Sequence, residues 1–419
     1  MNSGRCWILA IATILWATAP AIAEPLRGYH SQVKVEADTR LDWTFALANQ
    51  SLEKPPADWL PDYQSAAQSY ELFVPPNLNR RKPAPLVLLI SPSAKPAGWS
   101  QWQAVCMRSG VIFASPFAAG NDCPFRRRVR IVLDVLDDVR RRQPIDADRT
   151  YLAGFSGGAR IACSVAFALP EYFGGVIAIC GAEKLREESW LRERVAERLS
   201  VALITGEQDF NRAELERLRG PLLADVGVRA KVWTVAGLGH AIPDERQLAA
   251  ALDWLEEAVP ARRRKAQQWP AMHIAANAAP TRAEAAELLL AEARHRLEKN
   301  ATLFSGLMQL QGLSVRWPDV PAAAVAHKIL LDYDAKTDRP WELDDLAEQR
   351  RFLVAEARAT GAYATGPLPP QYSQERPIMA RAALEMWKQI LSDDPDGPHS
   401  KEATQQIHDL EQPAAEAKP

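Results

Sequence analysis

The chain has 419 residues, 47% of them apolar, with 50 basic and 52 acidic side chains and a net charge of −2. That length admits two domains and that apolar share a sizeable core. The charge balance leaves no electrostatic footprint for nucleic acid, and past the N-terminus no stretch is long and apolar enough to span a bilayer.

The first residues read as a targeting segment. Arg5 supplies the positive start, 7–22 is apolar, and Ala21-Ile22-Ala23 is a small-x-small cleavage site, so a signal peptide is expected over 1–23. The mature protein is then exported, periplasmic or secreted, with Glu24 as its first residue. Cys6 lies ahead of the apolar run and is not placed for lipid attachment. Removing that segment leaves Cys106, Cys123, Cys163 and Cys180, an even number that permits two disulfides in an oxidising compartment. Cys106 and Cys123 bracket one strand-like run; Cys163 and Cys180 form the second pair, with buried free thiols as its alternative.

Strand candidates at 41–47 and 70–74 are followed, past Pro75-Pro76, by a region of regular alternation. Its strand-like runs are expected at 86–90, 111–114, 150–153, 176–179, 201–205 and 231–235. Helical patterns fill the gaps at 99–108, 128–142, 159–169, 183–199, 212–225 and 244–259. Short apolar strands alternating with helices imply an α/β fold: a mostly parallel sheet covered on both faces, with chemistry beyond the carboxyl ends of the strands. The Pro-punctuated segment 260–280, with its Arg262 to Lys265 cluster, reads as a solvated linker. Beyond it strand signals cease, and 281–411 reads as a smaller all-α domain. Thr281 and Glu284 make a capping box, and Ala286, Leu289, Leu290, Ala293 and Leu297 line one apolar face. Pro318-Asp319-Val320-Pro321 and Pro395-Asp396-Gly397-Pro398 each precede a helical pattern, which reads either as a weak tetratricopeptide-like repeat or as a plain helical bundle. The Pro, Ala, Glu and Lys of 412–419 read as a disordered tail.

One hexapeptide carries the chemistry. Ala153-Gly154-Phe155-Ser156-Gly157-Gly158 is a Gly-x-Ser-x-Gly turn between a strand and an Ala-rich helix. Such a turn lifts the serine oxygen above the sheet edge, and the following helix aims its free N–H groups at any oxyanion formed there. A serine hydroxyl needs a base, and the base an orienting acid. Of seven histidines, only His240 lies within the alternating region, in Gly237-Leu238-Gly239-His240 after a strand. The acid belongs on the loop after the preceding strand, Gly206-Glu207-Gln208-Asp209. Asp209 is the candidate and Glu207 the reserve; the competing reading is that Asp209 caps the helix near Arg212. Gly157 and Ser93 are the candidate oxyanion amides, since Pro92 has no N–H. Trp99, Trp102 and Phe155 are candidates to line a substrate pocket, although packing explains scattered tryptophans as well. Arg160 fits a structural salt bridge better than an anionic-substrate contact. No Cys, His or acidic cluster has metal-ligand spacing, and serine chemistry requires no cofactor.

On these residues the chain resembles the α/β-hydrolase superfamily. Tyr70 to Pro75 ahead of an apolar strand, Ile145 to Gly158, and Pro170-Glu171-Tyr172-Phe173 are similar to the secreted polyhydroxybutyrate-depolymerase, feruloyl-esterase and dienelactone-hydrolase-like branches, over roughly residues 70–258. The resemblance implies a serine esterase with Ser156, Asp209 and His240 as its triad, in a hydrolase domain over 24–259. Its substrate would be a small or polymeric ester. Ser91-Pro92 stands where those branches carry His-Gly, and the C-terminal helices, a candidate surface for a protein partner, have no counterpart in the pattern. A serine peptidase acting on short peptides and an inactive hydrolase fold serving as a binding module are the alternatives.

Overall fold

In the computed structural model of the chain, residues 26–411 are described. The expected signal peptide over 1–23, with Cys6, and the expected tail over 412–419 fall outside them. The alternating apolar runs become one sheet of eight strands: β1 (Gly28–Lys34), β2 (Ser69–Val74), β3 (Ala84–Ile90), β4 (Ile112–Pro116), β5 (Ile145–Phe155), β6 (Gly175–Ile179), β7 (Ser200–Gly206) and β8 (Arg229–Val235). Their order is β1-β2-β4-β3-β5-β6-β7-β8. β4, β3 and β5 through β8 are mutually parallel; β1 and β2 add an antiparallel edge.

The inner strands are apolar throughout because both of their faces are covered. The two-residue period divides their side chains between two cores. Leu86, Leu88 and Ile90 of β3 enter one, Val87 and Leu89 the other; Val176 and Ala178 of β6 oppose Ile177 and Ile179 in the same way. Helices Trp99–Ser109 and Glu245–Glu257 close the smaller core, and Phe125–Arg142, Gly157–Ala168 and Ser189–Arg198 the larger. With six strands parallel, their carboxyl ends share one edge, and the loops after β3, β4, β5, β7 and β8 meet there.

Residues 41–47, expected as a strand, instead hold the helix Trp43–Leu47. Leu41, Phe45 and Ala46 are buried at helical rather than alternating spacing. β1 was not anticipated: it is an edge strand, half exposed and polar, so it carries little periodicity. The pattern over 183–199 is helical only from Ser189. That over 212–225 is a π-helical turn, Glu214–Arg219, continued by Gly220–Asp225.

The expected disulfides are absent among the described residues: all four cysteines are free thiols. Topology explains it. Cys163 packs in the larger core and Cys180 in the smaller, on opposite faces of the sheet. Cys106 is likewise in the smaller core, whereas Cys123 lies just ahead of Phe125–Arg142, which covers the other face.

The segment 260–280 is no solvated tether. It contains the helix Val259–Gln268, and Trp269, Ala271, Met272 and Ile274 are buried. Helical periodicity turns Arg262 inward from its basic cluster, where it donates to the backbone oxygens of Asp148 and Leu255 and to the Tyr151 hydroxyl. The C-terminal region is all helical: Arg282–Leu297, Asn300–Arg316, Pro321–Asp334, Trp341–Thr365, Glu375–Asp393 and Ser400–Glu411. The Thr281–Glu284 capping box forms, and Ala286, Leu289, Leu290 and Ala293 are buried. Met308, Ala355, Ala359 and Tyr363 join the larger core of the sheet, so the helical region and the sheet share one hydrophobic interior. No helix among the described residues is long and apolar enough to cross a membrane.

Candidate active site

Ser156 lies between the end of β5 and the helix Gly157–Ala168, with φ 56° and ψ −122°. A non-glycine residue holds so strained a conformation only when its surroundings over-determine it. Here the flanking glycines do so. A side chain at Gly154 would strike the backbone of Gly158 and Ala159, and one at Gly158 the Ile90 carbonyl. The turn therefore packs tightly between β5, its helix and the end of β3. The Ser156 N–H donates to the Ile179 carbonyl at 2.8 Å, tying the turn to β6.

Asp209 and His240 arrive on the loops after β7 and β8. These loops are zipped together by backbone bonds from Glu207 N–H to Val235 O and from Gln208 N–H to Leu238 O, both 2.9 Å. Glu207, the reserve acid, accepts from the Gly237 N–H at 3.0 Å and so braces the turn that leads to His240. His240 Nδ1 lies 2.8 Å from Asp209 Oδ1, and His240 Nε2 lies 2.9 Å from Ser156 Oγ. With Nδ1 facing a carboxylate, the proton belongs on Nδ1, which leaves Nε2 to accept the serine proton.

The Asp209 side chain is fully buried, and that of His240 is 21% exposed. Thr205 Oγ1 donates to Asp209 Oδ2 at 2.8 Å, and the Asn211 N–H donates to Oδ1 at 3.0 Å. The two readings of Asp209 therefore coexist: one carboxylate both caps the local turn and faces the imidazole. Phe210 stacks on the His240 ring with centroids 4.1 Å apart, and Phe155 lies tilted against the same ring at 5.0 Å.

A second layer comes from the helical region. The Tyr372 hydroxyl donates to Asn211 Oδ1 at 2.7 Å, and Asn211 Nδ2 donates to the Cys180 carbonyl. A groove of about 580 Å³ beside Asp209 is walled on one side by Gly366, Pro367, Leu368 and Pro369. Thr205, Asn211, Phe210 and Tyr372 were all missed from sequence. Thr205 ends an anticipated strand and Asn211 follows the acid, so position was a usable signal for those two; nothing local marks Tyr372.

Among the described residues, Cys180, Asp209 and His240 place possible ligand atoms within 4.8 Å of one another. Burial, with the Asp209 carboxylate beside it, pushes the Cys180 thiol well above its ordinary range, so it stays protonated and is a poor ligand. His240 and Asp209 are already hydrogen-bonded to each other. The cluster is a hydrogen-bonded one.

The oxyanion side departs from expectation. Gly157 opens its helix, so its N–H has no carbonyl of that helix to bond. Ser93 does not offer its amide: the N–H donates to Ser91 Oγ at 3.1 Å, and its hydroxyl donates to the Lys95 carbonyl at 2.8 Å. A serine two residues upstream captures the amide in a local turn. Of the candidate pocket residues, Trp102 is 0% exposed and belongs to the smaller core. Trp99 stacks on Tyr29 at 5.0 Å and packs against Phe73 and Phe113, which makes it a packing residue too. Phe155 alone lies beside the triad candidates. Arg160 makes a bidentate pair with Glu214 at 2.8 and 2.6 Å.

Residues 130–258, which include Ser156, Asp209 and His240, match a family model described as phospholipase/carboxylesterase. No curated protein matches the sequence. Among solved structures the chain is similar to a thermostable esterase, at 19% identity over 47% of this chain and 61% of that one, with a TM-score of 0.37. It thus spans less than two thirds of that esterase's length. An S-formylglutathione hydrolase from Staphylococcus aureus matches at 15% identity over 46% of this chain and 93% of its own, TM-score 0.37. A ferulic acid esterase matches at 14% identity over 45% and 92%, TM-score 0.36. At scores this low, none of these likenesses enters the reading of the site.

Proposed function

We propose that this chain, whose sheet and covering helices form an α/β-hydrolase domain, is an exported serine esterase that cleaves carboxylic esters through an acyl-serine intermediate. The hydrolase domain would span 24–259 and the helical domain 281–411. One observation carries the reading: the unbroken hydrogen-bonded chain from Ser156 Oγ through His240 to Asp209.

In this reading Ser156 Oγ attacks the ester carbonyl as His240 Nε2 takes its proton. Asp209, held by Thr205 and the Asn211 N–H, keeps the ring in the tautomer that can accept and stabilises the imidazolium. The carbonyl oxygen becomes an oxyanion at the helix N-terminus, where the Gly157 N–H can donate to it. Collapse expels the alcohol, which leaves with the proton from His240. Water then repeats the sequence on the acyl-serine: His240 takes its proton, the carboxylic acid departs, and the proton returns to Ser156. Each cycle consumes one water and one ester and yields one acid and one alcohol.

Purified protein should hydrolyse p-nitrophenyl esters, and Ser156→Ala should lower kcat on the order of 10⁴-fold or more at an unchanged circular dichroism spectrum. Hydrolysis that survives this substitution would end the proposal. Short peptide amides assayed beside the esters decide between esterase and peptidase by the ratio of kcat/KM.

A further inference from the structure

With the Ser93 N–H and O–H both engaged within their own loop, Gly157 is the one of the two expected backbone donors that remains open. The loop after β4 borders the serine turn at Gly157. There, Asn121 is anchored by its own N–H, which donates to the Pro92 carbonyl at 2.7 Å and so fixes it against the loop after β3. Its carboxamide lies over Gly157: a Cβ built on Gly157 would be 3.0 Å from Asn121 Nδ2 and nearer still to Oδ1. A glycine directly after the nucleophile thus leaves the space that this side chain fills.

The orientation of the carboxamide follows from its neighbour. Arg128 Nη1 donates to Asn121 Oδ1 at 3.2 Å, while Arg128 Nε donates to the Ala119 carbonyl at 2.8 Å. A guanidinium has donors only, so the oxygen of the carboxamide must face it. Arg128 is 6% exposed and packed at the start of a long helix, which makes it a rigid hold. With Oδ1 held by Arg128, the NH2 group carries no hydrogen bond to the described residues and is open to a ligand at the serine turn.

We propose that Asn121 Nδ2 is the second oxyanion donor of this site, a catalytic side chain taking the place of the amide that Ser91 has captured. The proposal rests on Ser156 being the nucleophile. During attack the carbonyl oxygen gains the electron pair of its π bond, and the Gly157 N–H and the Asn121 NH2 donate to it. No proton is transferred from either, and both bonds relax when the carbonyl re-forms. Mutagenesis of such donors elsewhere sets the scale, about 10²–10³-fold in kcat for one donor.

The test uses the full chain, with p-nitrophenyl acetate as substrate and a trifluoromethyl ketone that forms a hemiketal oxyanion on the serine. Asn121→Ala should lower kcat about 10²–10³-fold with KM changed by no more than a few fold. The ketone should lose affinity in parallel with kcat, because it alone carries the oxyanion in a bound state. Asn121→Asp, which keeps the shape and removes the donor, covers the case in which the alanine variant misfolds, and should lose at least as much activity. If both variants keep kcat and ketone affinity within about threefold of the parent while Ser156→Ala is dead, Asn121 is not the donor and the esterase reading stands. If the parent itself is inert and Ser156→Ala matches it, both proposals fall together.

Discussion

The two sides of Ser156 are built in different ways. On the side of the proposed acid and base, Asp209 and His240 ride on the loops after adjacent parallel strands, β7 and β8, and the backbone zips those loops together. On the side of the proposed oxyanion donors, the loops after β3 and β4 meet through two backbone bonds, Asn121 N–H to Pro92 O and Ala118 N–H to Ala94 O, and through a set of competing side-chain contacts. The first side follows from chain order and strand adjacency, so it was readable in advance. The second depends on which hydroxyl reaches which amide first, and a residue read as a donor, Ser93, became unavailable by a contact of 3.1 Å.

The largest expected effect tests whether the two sides act separately. Asp209→Asn should lower kcat about 10⁴-fold, since an amide no longer specifies the His240 tautomer. Catalysis remaining after the triad is broken comes from the oxyanion donors and binding. Asn121→Ala combined with Asp209→Asn should therefore lower that residue of activity by about the same factor as it lowers the parent's. A double variant no slower than Asp209→Asn alone would merge the two sides into one unit. Initial rates with p-nitrophenyl acetate measure both.

A smaller effect, on stability instead of rate, comes from the far end of β5. Burial by itself would raise the Asp148 carboxyl, but the hydrogen bond from His273 and the charge and hydrogen bond of Arg198 outweigh it and hold the group well below the usual carboxylate range. A carboxyl depressed in the folded state adds stability that is complete above its unfolded value of about 3.9 and drains away as pH falls below it. Urea unfolding should thus show a lower midpoint near pH 3 than near pH 7. Asp148→Asn, which strands a buried guanidinium, should reduce stability by about 3–5 kcal/mol and flatten part of that pH dependence. The kcat of the folded fraction should not change, because Asp148 and Ser156 occupy opposite ends of the strand.

The smallest effect joins the helical region to the acid–base side. Tyr372→Phe removes one hydrogen bond to Asn211, which in turn orients Asp209. A single such bond is worth about 0.5–1.5 kcal/mol, so kcat should fall by up to about tenfold with KM little altered. An unchanged kcat would confine Tyr372 to packing, and the acid loop would then owe its geometry to Thr205 and the backbone alone.

Particular residues show how far a linear reading reaches. The burial of both faces of β3, β6 and β7 is written in their unbroken aliphatic runs, and the strain at Ser156 in the glycines beside it. His240 was identifiable because it is the one histidine inside the alternating region. The disulfide expectation failed because the spacing of Cys163 and Cys180 says nothing about which face of a sheet each enters. The linker expectation failed at Arg262, a basic residue that reads as solvated until its hydrogen-bond acceptors are in place.

What this sequence determines by itself is the set of features governed by neighbours in the chain: strand and helix alternation, the serine turn, the Thr281 capping box, and the order of Ser156, Asp209 and His240. These rest on periodicity, sterics and connectivity, all of which are local. Tertiary structure alone decided that the Ser93 amide is captured, that Asn121 lies over Gly157, that the thiols stay apart, and that Tyr372 reaches the acid loop across about 160 positions of chain. Each of those is a competition among polar or bulky groups for a few ångströms of space. Its outcome is set only when segments remote in the chain have been packed side by side.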